Sequence, residues 1–141
     1  MLRGLARHAT CIVLQETHGT AQEVKKLLFP LSREFFFHHS IGPDRSTGGT
    51  IILIARTYVR EESQISSEDV VSGRVTRSVI TDGGPTVTVW NVHNYGLSNQ
   101  HVSLIATRIK TSCVHGPIRS SMWFGFVVTS IFLQQVRHHS Q

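Results

Sequence analysis

Apolar positions in this chain come in short runs separated by glycine, proline and small polar residues, and the spacing within each run predicts the element it forms. Leu2, Leu5 and Ala6 have helical spacing and lead into Cys11-Ile12-Val13-Leu14, a continuous apolar run of the kind found in strands buried on both faces. A helix followed by a central strand is expected. The strand breaks at polar Gln15-Glu16-Thr17-His18-Gly19, which places a carboxylate at its C-terminal end. Thr20 is a plausible N-cap, Glu23 completes a capping box ahead of Val24, Leu27 and Leu28, and Pro30 stops the helix. Phe35-Phe36-Phe37 reads as a short strand. Residues 42–49 are turn chemistry throughout, and Thr50-Ile51-Ile52-Leu53-Ile54-Ala55 is a strongly β-branched strand.

Residues 61–69 are polar and read as a loop, after which residues 71–81 recover strand character, with Val75 and Val79 on one face. Asp82-Gly83-Gly84 is a hairpin signal joining this strand to Thr86-Val87-Thr88-Val89-Trp90-Asn91-Val92, whose alternation suggests an antiparallel partner. Ser98 can cap a helix over residues 99–110. Hairpins outnumber crossovers, so the fold class is α+β or a layered α/β sandwich rather than a doubly wound sheet. From Thr111 the character changes: residues 122–133 are apolar without an amphipathic period, and the end is polar at Arg137-His138-His139-Ser140-Gln141. Residues 1–110 are therefore read as one domain and residues 111–141 as an unrelated apolar tail.

With 40% hydrophobic and 16% charged residues over 141 positions, a packed core is expected and disorder is not. The net charge of +5 favours polyanionic partners such as nucleic acid, although the basic residues are scattered and a mixed solvated surface accounts for them nearly as well. Cys11 and Cys113 lie far apart and match no zinc or redox spacing, so Cys11 reads as a small buried hydrophobe. The first nine residues lack an apolar core of signal-peptide length, and the apolar stretch near the other end falls short of the ~20 residues that span a bilayer. An intracellular protein of nucleus or cytoplasm, without a membrane partner, is expected.

Four segments carry candidate chemistry: Leu14-Gln15-Glu16-Thr17-His18, Gly48-Gly49-Thr50-Ile51-Ile52-Leu53-Ile54, Gly73-Arg74-Val75 and Trp90-Asn91-Val92-His93-Asn94. Each alone has a bland reading: an exposed strand edge, a turn, a surface pair. Their joint order resembles the endonuclease/exonuclease/phosphatase superfamily, in particular the endonuclease domains of retrotransposon-type polyproteins, over roughly residues 5–110. The resemblance implies the N-terminal half of a four-layer α/β sandwich of the DNase I-like type, with a mixed, mostly antiparallel sheet and flanking helices.

It also implies a chemistry. Glu16 matches a carboxylate that binds Mg²⁺ or Mn²⁺, a hard cation that needs few protein oxygens when phosphate and water supply the rest. Asn91 and His93 match a strand-end motif that hydrogen-bonds the scissile phosphate. Gly73-Arg74 matches a strand-entry pair for which a structural role is expected, and the histidine pairs His38-His39 and His138-His139 lack an acidic partner at ligand spacing and read as surface residues. The family's first-strand asparagine, its Asp-x-Asn and its terminal Ser-Asp-His find no counterpart, and the change after Lys110 reads as the frame leaving the ancestral domain. The expectation is a fragment of a divalent-metal-dependent, retroelement-derived phosphodiesterase acting on nucleic acid, DNA before RNA, inactive alone and open to association through an uncovered sheet face. A phosphatase or lipid phosphodiesterase of the same superfamily stays open, as does a non-catalytic basic module that binds nucleic acid or protein.

Overall fold

The computed structural model describes residues 8–114 and 122–123. Strands β1 (Cys11–Gln15), β2 (Phe35–Ser40) and β3 (Thr50–Ala55) form an antiparallel sheet in the order β1-β3-β2. A second sheet runs β4-β5-β6-β7, from β4 (Ile65–Val71), β5 (Val75–Ile80), β6 (Val87–Val92) and the short β7 (Met122–Trp123). Its first three strands are antiparallel neighbours, whereas β7 lies parallel to β6. Helix α1 (Ala21–Leu28) precedes β2, and α2 (Asn99–Val114) follows β6.

Three apolar clusters hold these elements together, and alternation along the strands decides which residue enters which. Leu14, Ile51, Leu53 and Phe35 point to one side of the first sheet and meet Val24 and Leu28 of α1. Ile52 and Ile54 point to the other side and meet Val59 and Ile80, with Cys11, Val13, Ile65, Val87 and Val89 half-buried around them. The far face of the second sheet presents Val75 and Trp90 to Ile105 of α2. The protein is thus α+β, with helix, sheet, sheet and helix stacked in that order. Strand β3 packs against α1 on one face and the second sheet on the other, and all of its residues are buried.

Local chemistry fixes the element ends. The Thr20 hydroxyl accepts from Glu23 N while the Glu23 carboxylate accepts from Thr20 N, the reciprocal cap expected from the sequence. Pro30 stands in a short 3₁₀ turn, Phe29–Leu31, that closes α1. Ser98 Oγ accepts from His101 N, and His101 Nδ1 accepts from Ser98 N, so histidine takes the returning role at the start of α2.

Several expectations change. β1 is an edge strand of its sheet and only Leu14 in it is fully buried, because β3 takes the centre. Residues 61–69 are not a loop: after a 3₁₀ turn, Glu62–Gln64, β4 begins at Ile65. It is an edge strand whose polar side chains are partnered across it, Ser67 by Ser78 at 2.8 Å and Glu68 by Arg77 at 2.8 Å. Helix α2 continues past Lys110 to Val114. The two sheets cover each other's inner faces, so among the described residues the open inner face expected of a halved sandwich is reduced to the half-buried rim around Ile52 and Ile80. Burial there pushes the Cys11 thiol up to about 11, which keeps it protonated and unreactive at neutral pH. No helix among the described residues is long and apolar enough to cross a membrane. The helix expected from Leu2 to Ala6 and the His138-His139 pair lie outside the described residues.

Candidate functional site

Antiparallel pairing brings the four motif segments to one end of the sandwich. Gln15, Ser40 and Thr50 stand in register across the first sheet, and Val75 faces Val92 across the second. Glu16, Gly48-Gly49, Gly73-Arg74 and His93 therefore leave their strands side by side.

The segments are tied together through their backbones. Gly49 N donates to Gly73 O at 3.0 Å, and Gly73 N donates to Ser40 Oγ at 2.7 Å. Thr17 N and His18 N donate to Gly49 O and Gly48 O, and Gly19 N to Arg45 O. These bonds hold Glu16 at φ 52°, a left-handed conformation that costs a non-glycine residue about 1–2 kcal/mol and persists where the surroundings over-determine it.

Glu16 forms the centre of a side-chain cluster. Its Oε1 accepts from Arg74 Nη1 at 3.1 Å, and its Oε2 accepts from Gly48 N at 3.2 Å and lies 2.6 Å from His18 Nε2. Arg74 Nη1 also lies 2.7 Å from His93 Nδ1. A guanidinium nitrogen of this kind carries two hydrogens, so it can serve Glu16 and His93 at once, provided that Nδ1 is an acceptor. His93 Nδ1 is also 3.1 Å from Glu16 Oε1, close enough for an ion pair if the ring were charged. Burial, however, lowers the His93 pKa and Arg74 pushes it the same way, while Glu16 opposes them without prevailing. A neutral ring that accepts from Arg74 at Nδ1 carries its proton on Nε2, which has no hydrogen-bond partner among the described residues. Arg74 thereby fixes the tautomer that leaves His93 an available donor.

For Glu16, burial pulls the carboxyl up, but hydrogen bonds from His18 and Gly48 and the nearby histidines outweigh it and set it below its ordinary value. Both groups thus have folded values below their unfolded ones, so each contributes stability that is present above the unfolded value and lost as pH falls through the folded one. The urea midpoint should fall on acidification in two arms. The first begins below 6.5 and belongs to His93 and His39, both lowered chiefly by burial; the second begins below 4.5 and belongs to Glu16 and Glu68, joined by the exposed Glu23 and Asp44. Replacing His93 and His39 with Gln should flatten the first arm, and a midpoint that rises on acidification from neutrality would contradict this assignment.

Asn91 is placed differently from His93. Its side chain is buried between the sheets, where Nδ2 donates to Leu14 O at 2.9 Å and Ile51 O at 3.0 Å, and Oδ1 accepts from Gln15 Nε2 at 3.0 Å. With those bonds made, its amide has no donor left for a phosphate; it locks β6 to β1 and β3 and so places His93 beside Glu16. Asn91→Ala would remove the side-chain bonds that tie β6 to β1 and β3 and leave Gln15 Nε2 with Val92 O alone, so it should lower unfolding free energy by about 1–3 kcal/mol, read by urea denaturation. A loss below about 1 kcal/mol would mean that the clamp is dispensable.

Sequence reasoning missed three parts of this end of the molecule. Arg74, read as structural, is the residue that joins Glu16 to His93, and its Gly-Arg signal was visible. His18, read only as part of the strand break, faces Glu16 two residues away, where both residues take positive φ. His38, read as a surface residue, lies 2.7 Å from Asp69, a partner hidden because β4 reads as a loop.

The donor set bears on a divalent cation. Among the described residues no group of three or more His, Cys, Asp or Glu side chains is arranged to hold a metal ion. What they offer is one partly exposed carboxylate, which is the protein's share when Mg²⁺ is bound largely through phosphate and water. Glu16 is that carboxylate, and its oxygens already face Arg74, Gly48 and His18. In comparisons with known proteins, no protein-family model and no curated protein sequence matches this chain.

Proposed function

We propose that this chain carries the phosphate-facing half of a nucleic-acid phosphodiesterase site of the DNase I-like type, and that alone it binds a phosphodiester without cleaving it. The observation that carries the reading is the convergence of Glu16, Arg74 and His93 from three separate motifs into one hydrogen-bonded cluster in which His93 Nε2 is left unpartnered among the described residues. His93 Nε2–H is the group that would meet a phosphate oxygen, and Arg74 supplies positive charge behind it. A divalent ion held by Glu16 would screen carboxylate from phosphate and polarise the phosphoryl oxygen. The order of the motifs, the stacking of helix, sheet, sheet and helix, and the net charge of +5 support the same reading. Substrate class follows from that charge and from the resemblance, with DNA ahead of RNA.

Cleavage needs an activated water in line with the leaving oxygen, and the Asp-x-Asn and terminal Ser-Asp-His that the resemblance assigns to that water find no counterpart in the sequence. Single-stranded DNA binding, followed by anisotropy, and nicking of supercoiled plasmid with Mg²⁺ or Mn²⁺ test both halves of the proposal. Salt-sensitive binding without nicking is expected. Nicking abolished by EDTA and by Glu16→Gln would show that the chain is a complete enzyme; absence of binding at any salt would remove the proposal.

A further inference from the structure

We infer that Tyr95 is a stacking platform for the base next to the bound phosphate, so that the site selects an unpaired nucleotide over a duplex; this rests on the phosphate reading above. Tyr95 is 72% exposed, among the most exposed large side chains of the protein. It stands on a tight turn. Leu97 N donates to Asn94 O at 3.3 Å, closing a tight turn in which Gly96 takes φ 77°, and Gly96 packs near the Arg74 guanidinium. The ring lies 6.3 Å from the His93 ring, tilted by 37°, and 5.4 Å from the Arg74 guanidinium carbon.

An exposed aromatic loses favourable burial unless something covers it, and this one sits at the rim of the cluster where the four motifs converge. The Arg74 contact fixes the tyrosine's distance from the phosphate donor. A nucleotide whose phosphate meets His93 Nε2–H has its sugar and base within the span of a few ångströms that separates the two rings. Every base offers a π face, so such stacking tolerates sequence. In a duplex those faces are already stacked on their neighbours, and only a base that is unpaired or turned out can reach the ring. The ligand chemistry is therefore single-stranded nucleic acid, read through one phosphate and one adjacent base.

The test uses the full chain, a short fluorescein-labelled single-stranded oligodeoxynucleotide carrying 2-aminopurine, and the blunt duplex of the same sequence. Wild type should bind the single strand more tightly and quench 2-aminopurine. Tyr95→Ala should weaken single-strand binding roughly tenfold and abolish the quench while leaving duplex affinity and the salt slope unchanged, and Tyr95→Phe should retain wild-type behaviour. If Tyr95→Ala binds both probes as wild type does, the stacking role is wrong and the phosphate site stands. Equal weakening of both probes with a changed salt slope would make Tyr95 a support for Arg74 and overturn the inference. If wild type binds neither probe, the phosphate reading and this inference fall together.

Discussion

Gly73→Ala should lower the unfolding free energy by about 3 kcal/mol. Gly73 has φ 66°, which alone strains any other residue. A Cβ there would stand 2.5 Å from Gly42 Cα and 2.6 Å from Ile41 O, both backbone, so neither neighbour can turn aside as a side chain would. The residue is also bonded on both sides, accepting from Gly49 N and donating to Ser40 Oγ. Moving it would pull the β4–β5 turn away from the ends of β2 and β3 and carry Arg74 off Glu16. Urea denaturation measures the loss, and Gly83→Ala is the comparison: its φ is also positive, but a Cβ there meets nothing within 4 Å. Equal effects at the two positions would mean that strain alone matters and that the close approach at Gly73 carries no weight.

Arg74→Ala should weaken oligonucleotide binding roughly tenfold to a hundredfold, more than any other single change at the cluster, because it removes a charge-assisted bond and the lock on the His93 tautomer. Arg74 is buried, and its loss also strips Glu16 of its cationic partner, so about 2 kcal/mol of stability should go with it. A stability loss alone would not identify the role; the His93 pKa does. Arg74 lowers it, so removing Arg74 should raise it, and nitrogen chemical shifts should show both neutral tautomers in place of one. Arg74→Lys keeps the charge and should recover most of the affinity, but one ammonium in place of the planar fork serves Glu16 and His93 less well. If Arg74→Ala leaves the His93 titration unmoved, the two residues are not coupled in solution.

How much of this was legible beforehand depends on whether the signal was local. The capping box at Thr20 and Glu23, the β-branched run of β3 and the Asp82-Gly83-Gly84 turn act within a few residues, and the structure shows each. β4 escaped because its polar residues find partners on β5, far along the chain; no window of sequence shows that Glu68 will meet Arg77. β1 was read as central because an apolar run states burial without saying which strand provides it. The same limit applies at the site. Glu16 and His93 could be named from their motifs, but Arg74, which bonds to both, comes from a third motif read as a structural strand-entry pair. Asn91 was visible as a motif residue, and only the inter-sheet spacing reveals that its amide is committed to Leu14, Ile51 and Gln15.

The central claim, that Glu16 faces a bound phosphate, is tested most directly by measuring single-strand affinity of wild type and Glu16→Gln in EDTA and in Mg²⁺. In EDTA a carboxylate beside the phosphate repels it, so Glu16→Gln should bind more tightly than wild type. In Mg²⁺ wild type should gain affinity by about tenfold or more and the variant should gain little, so that the order reverses. Equal affinities in EDTA and equal responses to Mg²⁺ would place the phosphate elsewhere on the surface and contradict the account.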